Sequence, residues 1–265
     1  MSYTFLSFRD RSQQNEEQWA ERSVDGEIQS SFTRSLVTIF DDFLMGNGLN
    51  ILEAGCGLGG WLPFFGKRGH RVIGVEFETE IINRVKAFDS KMPILQGDVT
   101  HLNFSDYSFD AYISLGVIEH FKEGPNKALL EAKRVLKPGG LAFITVPYLN
   151  PLRRIWVHPL RDLYFLIRRM RGKKDYFWEY RYTKKELNEF LRKTEFEVIY
   201  TGIDDYISDD KKHHIGLYAD FFFLRKKGGE IWELNHLGRF LLHWFRFFSP
   251  WLICSGLHMV AKKMK

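Results

Sequence analysis

The ten-residue stretch Ile51 to Gly60, with the sequence ILEAGCGLGG, constrains this chain more than any other part of it. Its apolar run is too short for a helix, is bounded by turn-forming residues and leads into four glycines, which predicts a β-strand ending in a tight turn. Glycine lets a backbone turn sharply and lets a ligand touch the main chain where a side chain would collide. Because Glu53 places a carboxylate just ahead of the turn, the stretch predicts a strand that ends at a bound ligand.

Two classes of cofactor fit this glycine turn, and a turn without a ligand is the third interpretation. The glycines from Gly55 to Gly60 match the dinucleotide fingerprint G-x-G-x-x-G, and Glu76 lies where that fingerprint expects a ribose-binding acid. Glu53 helps to separate the classes, since a carboxylate at the strand tip would repel the pyrophosphate of NAD. The same carboxylate would be favourable beside the ammonium and sulfonium groups of S-adenosylmethionine.

The composition is that of a folded globular chain. Of the 265 residues, 45% are hydrophobic and 16% aromatic, which excludes a mainly disordered protein and suffices for a sizeable core. The N-terminus lacks the apolar core of a secretory signal, so we expect a cytoplasmic location. Cys56 and Cys254 offer neither a disulfide framework nor a zinc spacing, which suits a reducing compartment.

The apolar segment 237–261 is the stretch that most resembles a membrane span. Arg239, Arg246 and Pro250 interrupt it well short of the roughly 18 unbroken apolar residues that a span needs. We therefore expect a buried helix followed by a strand. Net charge is +5 and is unevenly spread, because residues 151–193 hold thirteen Lys or Arg against five Asp or Glu.

Strands alternate with helices through the middle of the chain. Apolar runs predict strands at 71–76, 93–96, 109–114 and 141–146, with helices near 79–88 and 126–136. Such an alternation is typical of a mostly parallel sheet covered on both faces, whose ligands bind at the carboxyl ends of the strands.

We predict one domain over residues 1–265, with two insertions. Residues 1–48 are expected to be helical, with a short helix or loose arm up to residue 25 and one amphipathic helix from Ile28 through Phe43 to Gly46. Residues 49–146 form the cofactor-binding core. Residues 147–182 and 203–256 are cap insertions, and 257–265 are the last strand and tail.

Five segments of the chain, taken in order, resemble those of the class I S-adenosylmethionine-dependent methyltransferases of the small-molecule type. They are ILEAGCGLGG, VIGVEF, QGDV, FSDYSFDAYISLGVIEHF and VLKPGGLAFITVP. The resemblance covers about Asn50 to Val146 closely and the terminal strands more loosely. It implies a Rossmann-like, doubly wound α/β fold: a seven-stranded sheet with helices on both faces, strand order 3-2-1-4-5-7-6, an antiparallel final strand, and helical and aromatic cap insertions.

The resemblance further implies a binding site for S-adenosylmethionine. Glu53 is expected to face the amino group of the methionine half, which Gly55, Gly57 and Gly59 would line. Leu115, just past the fourth strand, is expected to contact the methionine end. The family pattern usually has Asp where this chain has Glu53, a change that extends the carboxylate's reach by one methylene.

In the adenosine half, the resemblance implies roles for three residues. Glu76 would accept hydrogen bonds from both ribose hydroxyls, and Asp98 would accept one from the adenine amino group. Val99 would offer a neighbouring backbone contact. Each acid alone is also typical of a surface loop or a helix cap, but both follow successive strands at the predicted carboxyl edge of the sheet.

The candidate catalytic residue is His120, which follows the fourth strand and titrates near neutrality. Methyl transfer needs a general base only where the nucleophile must lose a proton, and a structural histidine is the competing interpretation. Glu119 is a weaker candidate. We predict no metal site, since His213 and His214 have the pattern of a solvated turn.

The acceptor is the least determined part of the sequence-based hypothesis. Six aromatic residues of the first insertion suit either a cap over a small organic acceptor or a local core: Tyr148, Trp156, Tyr176, Trp178, Tyr180 and Tyr182. The positive charge indicates a solvated face, an anionic or lipid-linked acceptor, a membrane surface contacted by the helix at Leu160 to Arg171, or RNA. An RNA methyltransferase and a non-catalytic S-adenosylmethionine-binding or peripheral membrane protein therefore stay as alternatives.

Overall fold

The computed structural model describes residues 2–10, 13–14, 19–205, 212–230 and 232–264. Its central sheet has seven strands in the order 3-2-1-4-5-7-6 along the chain, and the seventh is antiparallel to both neighbours. This order confirms the predicted Rossmann-like, doubly wound α/β fold. Counting a separate N-terminal strand first, the strands are β1 (Tyr3–Ser7), β2 (Asn50–Ala54), β3 (Arg71–Glu76), β4 (Ile94–Gln96), β5 (Phe109–Leu115), β6 (Leu136–Pro147), β7 (Tyr176–Arg181), β8 (Phe196–Asp204) and β9 (Gly256–Lys263).

Helices cover both faces of this sheet and form the insertions. In chain order they are α1 (Val24–Ser31), α2 (Leu36–Phe43), α3 (Leu62–Lys67), α4 (Thr79–Phe88), α5 (Asn126–Val135), α6 (His158–Met170), α7 (Lys184–Lys193), α8 (Ile215–Asp220) and α9 (His236–Phe248). A 3₁₀ turn at Ile118–His120 follows β5, and a π-helical turn at Arg153–Val157 leads into α6.

The core lies on both sides of the sheet because successive strand residues point to opposite faces. Ile51 of β2 packs with Phe40 of α2 and Phe64 of α3 on one face. Leu52, the next residue, packs with Leu129 of α5 and Leu187 of α7 on the other. Burial on both faces explains why β2 is almost continuously apolar, as parallel strands in such sheets are.

The carboxyl ends of four parallel strands meet at one edge of the sheet. The chain runs from β2 outward through β3 to β4, and then crosses back to β5 on the other side of β2. This reversal opens a crevice between the ends of β2 and β5, where doubly wound sheets bind their ligands.

The N-terminal region differs from the prediction. Residues 3–7 form β1, which pairs antiparallel with β7 across more than 150 residues of sequence, where a helix or loose arm was expected. The single amphipathic helix predicted from Ile28 to Gly46 is two helices, α1 and α2. The hydroxyls of Ser30, Ser31 and Thr33 donate to backbone carbonyls three residues earlier, and such local hydrogen bonds compete with a continuous helix.

Two other predictions need correction. Strand β6 begins at Leu136, earlier than the predicted 141, since the Lys137 ammonium bonds Asp110 at 2.7 Å and holds that segment beside β5. Helix α9 was expected to be buried, but its outer face is exposed, with Phe240 64% and Phe247 78% accessible. The division of residues 1–265 into core and insertions stays a prediction, and residues 206–211 of the second insertion lie outside the described residues.

Candidate functional site

Two cavities lie side by side at the crevice between β2 and β5. The first, of about 320 Å³, is bordered by the acids that follow β3 and β4, and the second, of about 290 Å³, by Glu53 and Leu115. They share Trp19, Gly55, Gly116, His120 and Trp178 in their walls. These shared residues make the two cavities immediate neighbours.

The glycine turn shapes this site through Gly55. Its φ is +76°, and a Cβ there would lie 2.5 Å from Cγ2 of Val117. At Gly57 a Cβ would lie 2.6 Å from the Trp19 ring, and at Gly59 one would lie 3.1 Å from Cδ1 of Leu62. Gly55 therefore lines both cavities, while Gly57 and Gly59 let Trp19 and Leu62 approach the turn closely.

Glu53 is a buried acid at the tip of β2, 4% exposed. Its Oε2 atom has no hydrogen-bond partner among the residues that the structure describes. Burial raises the pKa of Glu53 to about 8, opposed by the Arg34 guanidinium and assisted by Glu76 and Glu27. A buried acceptor of this kind is satisfied by a ligand that brings a cationic donor.

Glu76 holds the glycine turn in place. Its Oε2 accepts a hydrogen bond from Gly57 N at 2.9 Å, and its Oε1 accepts from Phe77 N at 2.8 Å and Glu78 N at 3.0 Å. Two acceptor positions are available on each carboxylate oxygen, so these bonds leave one, on Oε2. Glu76 was expected to accept hydrogen bonds from both ribose hydroxyls. With one strong acceptor position left, it can accept one such bond strongly.

Asp98 and Val99 border the first cavity beyond β4. The Asp98 Oδ1 atom accepts from Thr100 N and from Thr100 Oγ1, both at 2.8 Å, which fixes the carboxylate on a tight turn. Val99 is buried and packs into the core under this turn. The structure thus brings both residues to the cavity that also contains Glu76.

Leu115 ends β5 and lies between the second cavity and a third one of about 270 Å³. Glu119 also borders both and is 2% exposed. Burial, with the nearby Glu179 and Asp204 carboxylates, raises the pKa of Glu119 well above its ordinary value. Burial thus disfavours the charged form of Glu119, whose Oε2 has no hydrogen-bond partner among the described residues.

His120 stands in the 3₁₀ turn after β5 and lines the first two cavities. Its Nδ1 lies 2.9 Å from the carbonyl oxygen of Trp178, and the two rings meet edge to face at 4.8 Å between centroids. A carbonyl oxygen only accepts, so Nδ1 carries the hydrogen and Nε2 of the neutral ring has the lone pair. The structural and the catalytic interpretation of His120 both fit this arrangement.

The third cavity has charged walls that the sequence analysis missed. Arg34 pairs with Asp204 at 3.2 Å and Arg181 with Glu179 at 3.2 Å, and all four residues border it. Glu179 and Arg181 are two positions apart in β7, which places them on the same face of that strand. Reading the segment YFWEYR as a strand would have revealed this pair.

Part of the positive charge of the first insertion is internal. Arg153 is 4% exposed and pairs with Asp220 at 2.7 Å, while Arg181 is 7% exposed. The solvated basic face is therefore the wrong interpretation for these arginines. Of the six aromatic residues, Trp178 lines the cavities, Tyr148, Tyr180 and Tyr182 pack on the core, and Trp156 and Tyr176 are exposed.

His214 is not part of a solvated turn, as was predicted. It is 5% exposed, its Nδ1 accepts a hydrogen bond from Leu217 N at 3.1 Å, and Asp205 lies 3.5 Å from its Nε2. These contacts make His214 the N-terminal cap of α8. The described residues contain no group of three His, Cys, Asp or Glu side chains placed to hold a metal ion.

The residues at the site fit S-adenosylmethionine. A Cβ at Gly55 would fill the shared wall of the two cavities, and the unpartnered Glu53 oxygen suits a cationic amine. At the other end of the site, Glu76 and Asp98 offer acceptor oxygens for the hydroxyl and amino donors of a ligand. The two adjoining cavities offer acceptor atoms at both ends. They therefore match a ligand that has a cationic amine at one end and a nucleoside at the other.

Comparisons with known proteins agree with this fit. A family model described as "Methyltransferase domain" matches residues 52–144. A probable S-adenosylmethionine-dependent methyltransferase of Mycolicibacterium smegmatis is 32% identical over 115 residues, which cover 43% of this chain and 42% of that protein. The chain spans less than half the length of the curated relatives it matches.

Solved structures show the same fold over nearly the whole chain. A chain in the complex of the Haloferax volcanii Trm112 methyltransferase activator with a methyltransferase has a TM-score of 0.65 and 18% identity, covering 95% of this chain and 97% of that one. The 1,6-didemethyltoxoflavin-N1-methyltransferase of Burkholderia thailandensis, solved with S-adenosylhomocysteine, has a TM-score of 0.54 and 16% identity, covering 96% and 84%. With the strand order, these likenesses show the fold of S-adenosylmethionine-dependent methyltransferases, and residues 52–144 are the segment that matches the methyltransferase domain.

Proposed function

We propose that this chain transfers a methyl group from S-adenosylmethionine to a small organic acceptor. The observation that carries the proposal is the buried Glu53 carboxylate, unpartnered among the described residues, beside a turn that only glycine at position 55 keeps open. When bound, S-adenosylmethionine supplies an electrophilic methyl group on a sulfonium. The chain has to hold the donor, align the acceptor and exclude water.

In this proposal the two adjoining cavities hold the donor. Glu53 binds the amino group, Gly55 forms the wall of the methionine half while Gly57 and Gly59 shape the turn behind it, and Leu115 packs against its end. Glu76 accepts from the ribose, Asp98 accepts from the adenine amino group, and Val99 contributes backbone.

The third cavity is the proposed acceptor site, because Leu115 and Glu119 separate it from the second. Its arginines are each paired with an acid, so its walls are polar without a large net charge. This pairing favours an acceptor rich in hydrogen-bonding groups over a strongly anionic one. His120 borders the first two cavities rather than the third, so as the proposed general base it would act through Nε2 on an acceptor group that reaches past Leu115, while the Trp178 carbonyl holds Nδ1.

Calorimetric titration tests the first half of the proposal. We expect S-adenosylmethionine and S-adenosylhomocysteine to bind and NAD to leave no signal, because Glu53 would face its pyrophosphate. Tight binding of NAD with none of S-adenosylmethionine would overturn the assignment.

Transfer of a labelled methyl group tests the second half. Extracts separated into small molecules, lipids and RNA are supplied in parallel, and we expect label in one of the first two fractions. Label in RNA would establish the alternative of an RNA methyltransferase. Binding without label in any fraction would favour a non-catalytic S-adenosylmethionine-binding protein.

Once an acceptor is found, His120→Gln tests the general base. We expect kcat to fall about 100-fold or more near neutral pH, with unchanged affinity for S-adenosylmethionine. An unchanged kcat in the variant would assign His120 to structure alone.

A further inference from the structure

Helix α6 faces the protein with its polar side and solvent with its apolar side. The inward residues His158, Arg161, Phe165 and Arg168 are buried or half-buried. Of the exposed side chains of α6, Asp162 and Arg169 are charged. Six others are large and apolar and between 41% and 79% exposed: Leu160, Leu163, Tyr164, Leu166, Ile167 and Met170. This is the reverse of a surface helix on a globular protein, which buries its apolar stripe.

The reversed orientation of α6 is fixed by specific contacts. The His158 ring stacks on Tyr3 at 3.6 Å, and the Arg161 guanidinium lies 3.8 Å from the centroid of the Phe5 ring. Arg161 also donates to the carbonyl oxygen of Leu6. Because strand β1 receives the polar side of α6, the apolar side is held outward.

Helix α9 has a second outward apolar face. Leu242 and the half-buried Phe245 pack into a small core with Leu217 and Ile253. The opposite side of α9 exposes five large apolar residues: Leu237, Phe240, Trp244, Phe247 and Phe248. Phe222 and Phe223, in the 3₁₀ turn that follows α8, are exposed as well. Leu152, just ahead of the segment leading to α6, packs on the same small core, so the two insertions adjoin.

The charge around these faces indicates what covers them. Residues 151–174 contain eight Lys or Arg and one acid, Asp162. Arg154, Arg171, Lys173 and Lys174 are exposed beside the apolar face. Two copies of this chain meeting through α6 would bring these cations together, whereas an anionic lipid surface attracts each of them.

We propose that the outward faces of α6 and α9 lie in the interface of an anionic lipid bilayer, with their basic fringe against the headgroups. Apolar and aromatic side chains on one face with basic residues beside them are typical of helices that lie in that plane. No helix among the described residues has the length and apolarity to cross a membrane, so the contact is one of surface binding.

The same insertions reach the third cavity. Arg153, which opens the π-helical turn before α6, and Ile215, which opens α8, both border it. A lipid surface at α6 and α9 would therefore lie near the proposed acceptor site and would present amphiphilic acceptors to it. This last step rests on the proposed function, whereas the lipid contact itself does not.

Vesicle co-sedimentation of the full chain tests the proposal. We expect binding to vesicles of 30% phosphatidylglycerol in phosphatidylcholine, and roughly tenfold weaker binding to phosphatidylcholine alone or in 0.5 M salt. The variant Leu160→Gln/Leu163→Gln/Ile167→Gln should lose at least about tenfold in partitioning, because the three side chains supply apolar area to the interface. Leu237→Gln/Phe240→Gln should also weaken it.

A matched control variant distinguishes vesicle binding by the faces of α6 and α9 from nonspecific adhesion of any exposed apolar residue. Leu130→Gln/Phe88→Gln changes two apolar residues of similar exposure on α5 and α4, and should bind vesicles like the wild type. The affinity for S-adenosylmethionine, measured by titration, should be unchanged in every variant, which shows that each variant is folded. This measurement also keeps the vesicle test separate from the test of the methyltransferase proposal. Equal binding by the α6 variant would overturn the lipid assignment, and so would a wild-type dimer that ignores vesicles and dissociates in that variant.

Discussion

One carboxylate oxygen of Asp98 accepts hydrogen bonds from Thr100, and Asp98 borders the first cavity, the proposed nucleoside end of the site. In Asp98→Asn the Oδ1 bonds can persist while an NH₂ group replaces Oδ2, so a donor would face the adenine amino donor. We expect the affinity for S-adenosylmethionine to fall by about 1 to 3 kcal/mol, measured by calorimetry.

Asp89 offers a matched control for that substitution. Its Oδ1 accepts from Lys91 N at 2.9 Å, two residues on, in the same kind of turn, but it borders neither donor cavity. Asp89→Asn should leave the affinity unchanged. Equal losses in both variants would mean that the turn, rather than the adenine contact, matters.

Glu53 makes stability depend on pH. Its pKa in the folded chain, about 8, is above the ordinary 4.5, so the folded state keeps a proton that the unfolded state loses. The resulting stability is full below about pH 4.5 and falls towards pH 8 by at most about 1.4 kcal/mol per pH unit. Relative to wild type, Glu53→Gln should therefore become more stable as pH rises, measured by urea unfolding at pH 5 and 8.

The same group is coupled to the donor. A bound cationic amine favours the Glu53 carboxylate, so saturating S-adenosylmethionine should reduce the wild type's loss of stability with pH and leave the variant's profile unchanged in shape. Glu197→Gln, an exposed site on β8, serves as the control. Parallel pH profiles of the wild type and Glu53→Gln would contradict the burial argument.

The element that most restricts substitution is the glycine turn after β2. In Gly55→Ala the new methyl would meet Val117 at 2.5 Å in a left-handed backbone, with φ +76°. Gly46→Ala has a similar φ, +88°, but no described atom within 4 Å of the new Cβ. Both should lose about 1 to 2 kcal/mol to backbone strain, and Gly55→Ala at least about 1 more from the collision, measured by urea unfolding.

The affinity for S-adenosylmethionine is a second measurement that distinguishes Gly55→Ala from Gly46→Ala. S-adenosylmethionine should bind Gly46→Ala as it binds the wild type, whereas Gly55→Ala places its methyl in the wall of both cavities. Equal stability and affinity in the two variants would show that Val117 moves aside without cost.

Elements whose signal is local were predictable from the sequence. Strand β3 occupies the predicted 71–76, and α5 begins at the predicted 126, because alternating apolar runs and amphipathic spacing are carried within each segment. Strands β1 and β7 were missed, since each exists by pairing with a partner far along the chain. The pairing register of β1 with β7 has no local signal, whereas reading YFWEYR as a strand could have placed Glu179 and Arg181 on one face.

At the scale of the whole molecule, a buried ion-pair group joins the two insertions. Asp220 of α8 accepts from Arg153 at 2.7 Å and lies 3.7 Å from Arg181 of β7. Asp220→Asn leaves both buried arginines without that charge, so we expect a loss of about 3 to 5 kcal/mol in urea unfolding.

An exposed acid of the first insertion serves for comparison. Asp162 accepts a hydrogen bond from the Tyr3 hydroxyl at 2.6 Å, and Asp162→Asn should cost about 1 kcal/mol or less. Limited proteolysis of Asp220→Asn should cut first within the insertions. A loss as small as that of Asp162→Asn would show that the insertions dock without this charge group.

Within the sequence, apolar periodicity predicted the alternation of strands and helices, and the glycines and strand-end acids predicted a ligand at the end of β2. The strand order and the methyl donor were implied by the resemblance of five segments to the class I S-adenosylmethionine-dependent methyltransferases. Only the tertiary structure decided that Arg153 and Arg181 turn inward to acids and that the apolar faces of α6 and α9 turn outward. Spacing along a helix reveals that two faces differ, but which face is buried depends on what the rest of the chain places against it.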